Sequence, residues 1–226
     1  MRRTLAPKPD DDRVLIALVR AIAADEKQVI AALLKGDPSL ALQSLAAGAT
    51  RASAAAHYIE DVEHYLYEGD TALHAAAAAY RRDSAMRLLA KGADVSARNR
   101  RGAQPLHYAA DGGPTLRTWD PSTQAETVAC LIEAGADPNA FDKSGVAPLH
   151  RAVRTRSTGA VRELLGGGAD PRLKNRSGST PLDLATMTTG RGGSGTLAAK
   201  REQEAIMKLL EAVPERRRIW HSRRSN

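Results

Sequence analysis

The sequence predicts an all-α solenoid of about five helix-turn-helix repeats, each linked to the next by a hairpin-like finger, behind an N-terminal capping helix. The first observation is a repeating unit. His74, His107, His150 and Asp183 are separated by 33, 43 and 33 residues, and a fixed period of this length is typical of stacked repeats. The second observation is composition. Aromatic residues make up only 4% of the chain, which suits close helix packing better than aromatic-rich strands.

The elements follow from apolar patterns and from residues that begin and end helices. Residues 1–12 are rich in Pro, Arg and Asp, which predicts a loose N-terminus. Apolar residues recur at helical spacing after Asp12 and after Asp25, and we expect a further helix over 39–47 that ends at Gly48. We predict a repeat domain over 13–213 and a basic tail over 214–226. The domain comprises a cap with a degenerate repeat (13–50), an extended finger (49–68) and four further repeats, over 69–101, 102–144, 145–177 and 178–213.

Two kinds of motif recur within the repeats. The units open with Thr71-Ala72-Leu73-His74, Pro105-Leu106-His107, Pro148-Leu149-His150 and Thr180-Pro181-Leu182, and Gly-Ala-Asp recurs at 92–94, 135–137 and 168–170. Pro at the first helical position costs no hydrogen bond, and Gly supplies the turn after the second helix. With the 33-residue period, these motifs resemble the ankyrin-repeat family over about residues 25–213. The resemblance implies hairpin fingers, a structural rather than zinc-binding role for the three histidines, and a concave face that binds partners.

Charge and cysteine content narrow the class of protein. The formal net charge is +7, but residues 215–226 contain five Arg and one Glu, so the repeat body is only mildly basic. Nucleic acid is therefore an alternative partner for the tail alone. The single cysteine, Cys130, excludes an internal disulfide and lies on an apolar helical face. No uncharged apolar run reaches 18 residues, so we expect a soluble cytoplasmic protein without a membrane partner.

The 49–68 finger is longer than the others, since 21 residues separate Gly48 from Gly69 where ten are usual. We therefore count eleven extra residues. Candidates for partner contact in this segment are His57, Tyr58, His64, Tyr65 and Tyr67. If the segment were helical, its two histidines would share a face with Glu60 and Asp61, as in a metal site or an acid/base cluster. The simpler interpretation is an extended finger whose tyrosines cover the first repeat.

Two inserts lie between the helices of their repeats. The insert over 111–124 contains Trp119 in a Gly/Pro/Thr-rich loop, where the ring either folds back on a neighbouring repeat or anchors a ligand or partner. The insert over 188–195 is glycine-rich and contains Arg191, which suits either a flexible linker or anion binding. It lacks the Lys-Ser/Thr of a P-loop. The two inserts and the long finger belong to opposite ends of the repeat, so one pocket formed by all three requires the segments to fold along a face.

The resemblance places a mostly basic set of residues on the concave face. The matching positions named as partner-binding candidates are Arg98, Arg101, Tyr108, Asp111, Lys143, Arg151, Arg154 and Arg176. We expect a protein–protein interaction module that binds a partner, acidic by complementarity, through this face and the first finger. The alternative is a small-ligand-binding protein or an enzyme that uses residues 57–68 and the two inserts. No catalytic Ser/His/Asp or Cys/His signature supports a reaction, and no cofactor or metal is expected.

Overall fold

The computed structural model describes residues 12–113, 119–187 and 197–213. These residues contain five successive helix pairs. The helices are α1 (Asp12–Ala23), α2 (Lys27–Gly36), α3 (Ala72–Ala78), α4 (Arg82–Ala90), α5 (Pro105–Ala109), α6 (Pro121–Glu133), α7 (Pro148–Thr155), α8 (Thr158–Gly166), α9 (Pro181–Thr186) and α10 (Leu197–Glu211). The predicted all-α repeat solenoid is confirmed. Predictions for residues 1–11, the insert around Arg191 and the tail 214–226 lie outside the described residues.

The helices stack in two layers. The first helices of the pairs (α1, α3, α5, α7 and α9) contact one another in chain order, and we call this the first-helix layer. The second helices α4, α6, α8 and α10 do the same on the other side. The core between the layers contains one leucine from most first helices, fully buried in each case: Leu18, Leu73, Leu106 and Leu149. Burial of each such side chain contributes about 1.5–3 kcal/mol.

The histidines of the repeats join each pair to the next, which confirms the structural role implied by the family resemblance. Nδ1 accepts a hydrogen bond from the backbone N–H three residues earlier, at 3.2 Å in His74, His107 and His150. Nε2 donates to a carbonyl of the following finger: Ala103, Val146 and Ser179, at 3.1, 3.0 and 3.2 Å. Burial lowers the pKa of all three, to about 4 for His107. Neutral, fully bonded rings are structural links.

The N-terminal region differs from the prediction in register. The helix expected over 39–47 is wrong: a 3-10 turn covers Pro38–Ala41, and Gly36 ends α2. The helix expected as a cap, α1, is also the first helix of the first pair. The physical reason is that backbone groups of this stretch bond elsewhere. The Asp12 carboxylate accepts from Ala46 N at 3.0 Å, and Leu45 N donates to Asp70 O at 2.8 Å.

This register makes the first finger much longer than predicted. The first finger comprises residues 37–71, whereas the regular fingers comprise residues 91–104, 134–147 and 167–180. It therefore has 35 residues against 14 in each regular finger, an excess of 21 rather than eleven. Within it, β1 (Tyr58–Ile59) pairs antiparallel with β2 (His64–Tyr65). Among the described residues, no helix combines the length and the apolar character needed to cross a bilayer.

Candidate functional site

The first finger folds back onto the first-helix layer instead of projecting from it. Tyr58 pairs with Tyr65 and Ile59 with His64, so alternate side chains of this short hairpin face inward. Ile59 and Leu66 are buried, at 4% and 3% exposure. A small void of about 10 Å³ lies between the finger and the helices. Its lining shows which helices the finger covers: Val19 and Ala23 of α1, Ala75 and Ala78 of α3, and Tyr108 of α5.

The hairpin is incompatible with the metal site or acid/base cluster that a helical 57–64 segment would have formed. Residues 57–65 form 3-10 turns and strands, so His57, Glu60, Asp61 and His64 do not share a helical face. His57 Nδ1 instead lies 3.0 Å from the Ser53 carbonyl. Among the described residues, no group of three or more His, Cys, Asp or Glu side chains could hold a metal ion.

A buried polar network fastens the base of the first finger to the neighbouring repeat. The Asp70 carboxylate accepts hydrogen bonds from Asn99 Nδ2 at 2.8 Å, from the Tyr108 hydroxyl at 2.9 Å and from Tyr67 N at 2.7 Å. Asp70, Asn99 and Tyr108 are 1%, 4% and 3% exposed. Burial and the Asp70 charge raise the pKa of Tyr108 well above its usual value. Tyr108, predicted as a partner-binding residue of the concave face, is therefore buried, because its hydroxyl completes the network.

His64 lies where the finger meets α5, and its ring has an unfilled hydrogen-bonding capacity. It packs edge-on against the Tyr108 ring, with 4.6 Å between ring centroids. Its Nε2 is buried and has no hydrogen-bond partner. Burial lowers the pKa of His64, and the Asp70 and Asp111 charges only partly oppose this. The finger thus holds a neutral imidazole with an unpartnered nitrogen against α5.

A cavity of about 210 Å³ opens beside His64. Its lining comes from the finger, from α3 and α5 with the turns that follow them, and from the end of α7: Val62, Glu63, His64, Ala78, Tyr80, Tyr108, Asp111, Gly112, Gly113 and Thr155. Tyr80 donates its hydroxyl to the Asp111 carbonyl at 2.9 Å. At this cavity the long finger meets the beginning of the 111–124 insert. The sequence analysis had assigned these two segments to opposite ends of the repeat.

Three of the predicted residues are engaged with one another. Arg151 lies 3.4 Å from Asp111 and 3.0 Å from Asp142, and Arg154 lies 3.3 Å from Asp111. These ion pairs link α7 to the turn after α5. Since the Arg151 side chain is only 13% exposed, its guanidinium serves mainly to hold these two carboxylates. Arg154 retains more access to solvent, at 42%.

Exposed cations lie along the tips of neighbouring fingers. We call this set the basic tip row: Arg100, Arg101, Lys143, Lys174 and Arg176. Backbone hydrogen bonds align the tips, since Lys143 N donates to Arg101 O at 2.8 Å and Arg100 N donates to Glu68 O at 2.8 Å. The Arg101 guanidinium lies 4.3 Å from the Tyr67 ring centroid, a cation–π distance.

The remaining predicted residues lie away from the cavity lining. Arg98 donates Nη1 to the carbonyls of Gly102 and Phe141, at 3.0 and 2.7 Å, and so joins two fingers. Trp119 donates Nε1 to Gln124 Oε1 at 2.6 Å, and Ser157 Oγ bonds the same oxygen at 2.7 Å. Trp119 thus packs against its own repeat. Tyr65 is 41% exposed and contacts Tyr58 on the outer side of the finger, with ring centroids 4.8 Å apart and the ring planes tilted by 50°.

Sequence reasoning missed Asp70, Asn99 and Tyr80. Tyr80 follows His74 by six residues and has a φ of 54°, and Arg156 follows His150 by six residues with a φ of 62°. A bulky residue at a turn position that requires the left-handed region is uncommon. Comparing the copies at this position would have singled out both residues.

Family models match most of the described repeats. A model described as ankyrin repeats (3 copies) matches residues 18–117, one for a single ankyrin repeat matches 101–143, and one for ankyrin repeats (many copies) matches 131–185. No curated protein shows a match to the chain. Repeats of this family are generally protein–protein interaction modules. The stacked helix pairs, the histidine links and these matches together show that the chain belongs to the ankyrin-repeat family.

Proposed function

We propose that the protein is a cytoplasmic interaction module that binds an acidic segment of a partner protein along the basic tip row. The observation that carries the proposal is the alignment of exposed cations on consecutive fingers. Arg101, Lys143 and Arg176 belong to three successive finger tips, and direct backbone bonding holds the first two tips together. A rigid solenoid presents such a surface with little ordering cost when a partner binds.

The first finger influences where a partner can bind, because it covers part of the first-helix layer, the other surface that a partner could use. Ile59, Leu66 and His64 cover the surface of α1, α3 and α5, which removes that part of the first-helix layer from a partner. Tyr67 is half-buried and lies beside Arg101, so the finger supplies an aromatic wall to one end of the basic tip row. The partner that suits this surface has carboxylates spaced along an extended segment.

Charge reversal tests the proposal. We expect the Lys143→Glu/Arg176→Glu variant to lose an interacting protein that the wild type retains from cell extract at low salt. Both side chains are exposed, so folding should be unaffected. The matched control is Arg87→Glu/Lys91→Glu, which reverses two exposed charges at the other side of the array. Retention by the wild type should weaken as salt rises, since exposed charges are screened.

A partner retained equally by the tip variant and the control would contradict the proposal. So would retention that is insensitive to salt. The Tyr58→Ala/Tyr65→Ala variant adds a further arm: because this ring pair lies on the outer side of the finger, loss of binding in this variant alone would move the site from the tips to the finger surface.

The cavity beside His64 favours a second candidate function, the binding of a small polar molecule. A void of 150 Å³ is known to admit benzene, so about 210 Å³ admits a ligand of somewhat greater size. Glu63, His64, Asp111 and Thr155 supply polar groups to its lining. An amide-detected NMR screen of small molecules would show shifts at Gly112 and Gly113, and an Ala78→Leu variant, which narrows the cavity, should abolish them. A screen without any shift at these amides would remove this candidate.

A further inference from the structure

Arg156 occupies the turn between α7 and α8 in an unusual environment. Only 4% of the surface of Arg156 is exposed, and its backbone φ of 62° lies in the left-handed region. Tyr80 and Asp25 have the same sign of φ in the corresponding turns of other pairs, so the backbone conformation belongs to the repeat. The side chain is what distinguishes this copy, because it places a permanent positive charge in the interior.

The guanidinium of Arg156 has no counter-ion within the described residues. Its Nη1 is buried without a hydrogen-bond partner, and no described carboxylate lies within ion-pair distance. The neighbouring arginines differ: Arg151 and Arg154 both pair with Asp111. Residues 188–196, which follow α9, contain neither Asp nor Glu. Since taking an ion out of water is costly without compensation, a buried unpaired charge requires an explanation.

A cavity adjoins this group. Its volume is about 120 Å³, and it lies where α7, α9 and α10 meet. Its walls combine two arginines and a glutamine with apolar side chains: Val153, Arg154, Arg156, Leu184, Ala185, Met187, Gln203 and Ile206. Gln203 donates Nε2 to the Ala185 carbonyl at 2.6 Å, which holds α10 against the end of α9. At about 30 Å³ per water in the liquid, the cavity has room for a group of a few heavy atoms.

We propose that this cavity is a binding site for a small oxyanion, a carboxylate or phosphate group, with Arg156 as its principal ligand. A guanidinium matches the geometry of both groups, because its parallel N–H bonds can meet two oxygens. Arg154, which pairs with Asp111 and is 42% exposed, also lines the cavity and adds a second positive charge. The apolar wall formed by Leu184 and Ile206 accommodates a short aliphatic body attached to a carboxylate. The site is separate from the basic tip row and independent of the proposed protein partner.

The wild-type protein tests the site directly. We would titrate it with inorganic phosphate and, separately, with butyrate, each against sodium chloride at matched ionic strength, and follow backbone amides by NMR. Saturable shifts at Val153, Ala185 and Ile206 are expected for at least one oxyanion. Response to phosphate alone, to butyrate alone or to both would identify the source of the group. Absence of saturable shifts at these amides with either anion would overturn the proposal.

Thermal unfolding of matched variants would test whether Arg156 is the residue that binds the oxyanion. Binding to the folded state alone should raise the wild-type Tm by about 5–10 °C at roughly 100 times the Kd. Arg156→Gln removes the charge and should abolish the rise, whereas Arg162→Gln, at an exposed position of α8, should retain it. An equal rise in the wild type and Arg156→Gln would contradict the assignment. If circular dichroism shows that Arg156→Gln is unfolded, Arg156→Gly, which suits the left-handed turn, replaces it.

Discussion

The first finger and the regular fingers occupy the same place in the repeat but differ in the groups that accept hydrogen bonds from the backbone N–H groups of their turns. In the regular fingers an Asx residue begins the turn: Asn99, Asp142 and Asn175 each accept from two backbone N–H groups, two and four residues further on. The first finger has Leu66 at the matching position, three residues before its glycine. The Leu66 side chain cannot accept a hydrogen bond, and it is buried instead.

This difference shows how a leucine in place of an Asx residue is associated with a finger that covers the first-helix layer instead of projecting from it. An apolar side chain at the turn must find an apolar surface, and the first-helix layer is the nearest one. The first finger bonds its turn by other means: Asp70 N, four residues after Leu66, donates to Tyr67 O at 2.9 Å, and Gly69 N donates to Leu45 O at 2.8 Å. Leu45 lies in the long first part of the finger, which therefore supplies a backbone acceptor for the turn as well as the cover.

The largest expected effect comes from Asp70, which has no counterpart of equal burial in a regular finger. Asp70→Ala removes the acceptor of the Tyr108 hydroxyl and one of the two acceptors of Asn99 Nδ2, which keeps only the Tyr108 oxygen at 2.8 Å. Because both are buried, we expect a loss of about 3–5 kcal/mol in the free energy of unfolding, measured with urea. Asn175→Ala, in a regular finger, frees two backbone N–H groups nearer to solvent and should cost about 1–3 kcal/mol. Equal losses in the two variants would show that the first finger is no more tightly fastened than the others.

A smaller effect is expected from two glycines. A Cβ at Gly48 would meet the backbone of Tyr67 and Glu68, whereas a Cβ at Gly135 would meet nothing within 4 Å. Gly48→Ala should therefore push the finger chains apart, at a cost of about 1–3 kcal/mol, with reduced hydrogen-exchange protection at Leu66 N. Gly135→Ala should cost about 1 kcal/mol through its φ of 96° alone, with that protection unchanged. Unaltered protection in Gly48→Ala would argue against close packing of the finger.

The smallest effect concerns pH and is confined to the first finger. Burial lowers the pKa of His64 in the folded state, so the open finger binds the proton more readily than the closed one. Closure is favoured above the ordinary pKa of about 6.5 and weakens as pH falls below it. The protection factor of Leu66 N, which bonds to His57 O at 2.8 Å, should then fall by up to about tenfold per pH unit. His64→Phe should remove this pH dependence, and its persistence would implicate another group.

The sequence predicted the features that repeat and failed where the chain departs from repetition. The spacing of His74, His107 and His150 fixed the helix starts, and their structural role is confirmed by their two hydrogen bonds each. The helix over 39–47 was wrong because its Ala/Leu pattern has helical spacing, while its N–H groups bond to Asp12 and Asp70, distant carboxylate and carbonyl groups that a local pattern does not reveal.

The candidate site depended still more on contacts distant in sequence. Tyr108 was expected on an open surface, because its cover belongs to a segment about 45 residues earlier. The sequence did not single out Arg156, because burial of its guanidinium depends on α9 and α10, which meet α7 beside it. By contrast, the exposed positions Lys143 and Arg176 followed directly from their places in the finger tips.

The reach of the first finger also bears on how the array unfolds. A simple repeat array is quasi-one-dimensional, since each repeat contacts only its neighbours and terminal repeats can fray singly. Here the finger that follows the first helix pair reaches Tyr108 and Gly113 in the third. Opening the first pair therefore disturbs a contact two pairs away. The three N-terminal pairs should exchange their amides as one cooperative unit, while the fourth and fifth pairs keep the independent fraying of an ordinary solenoid.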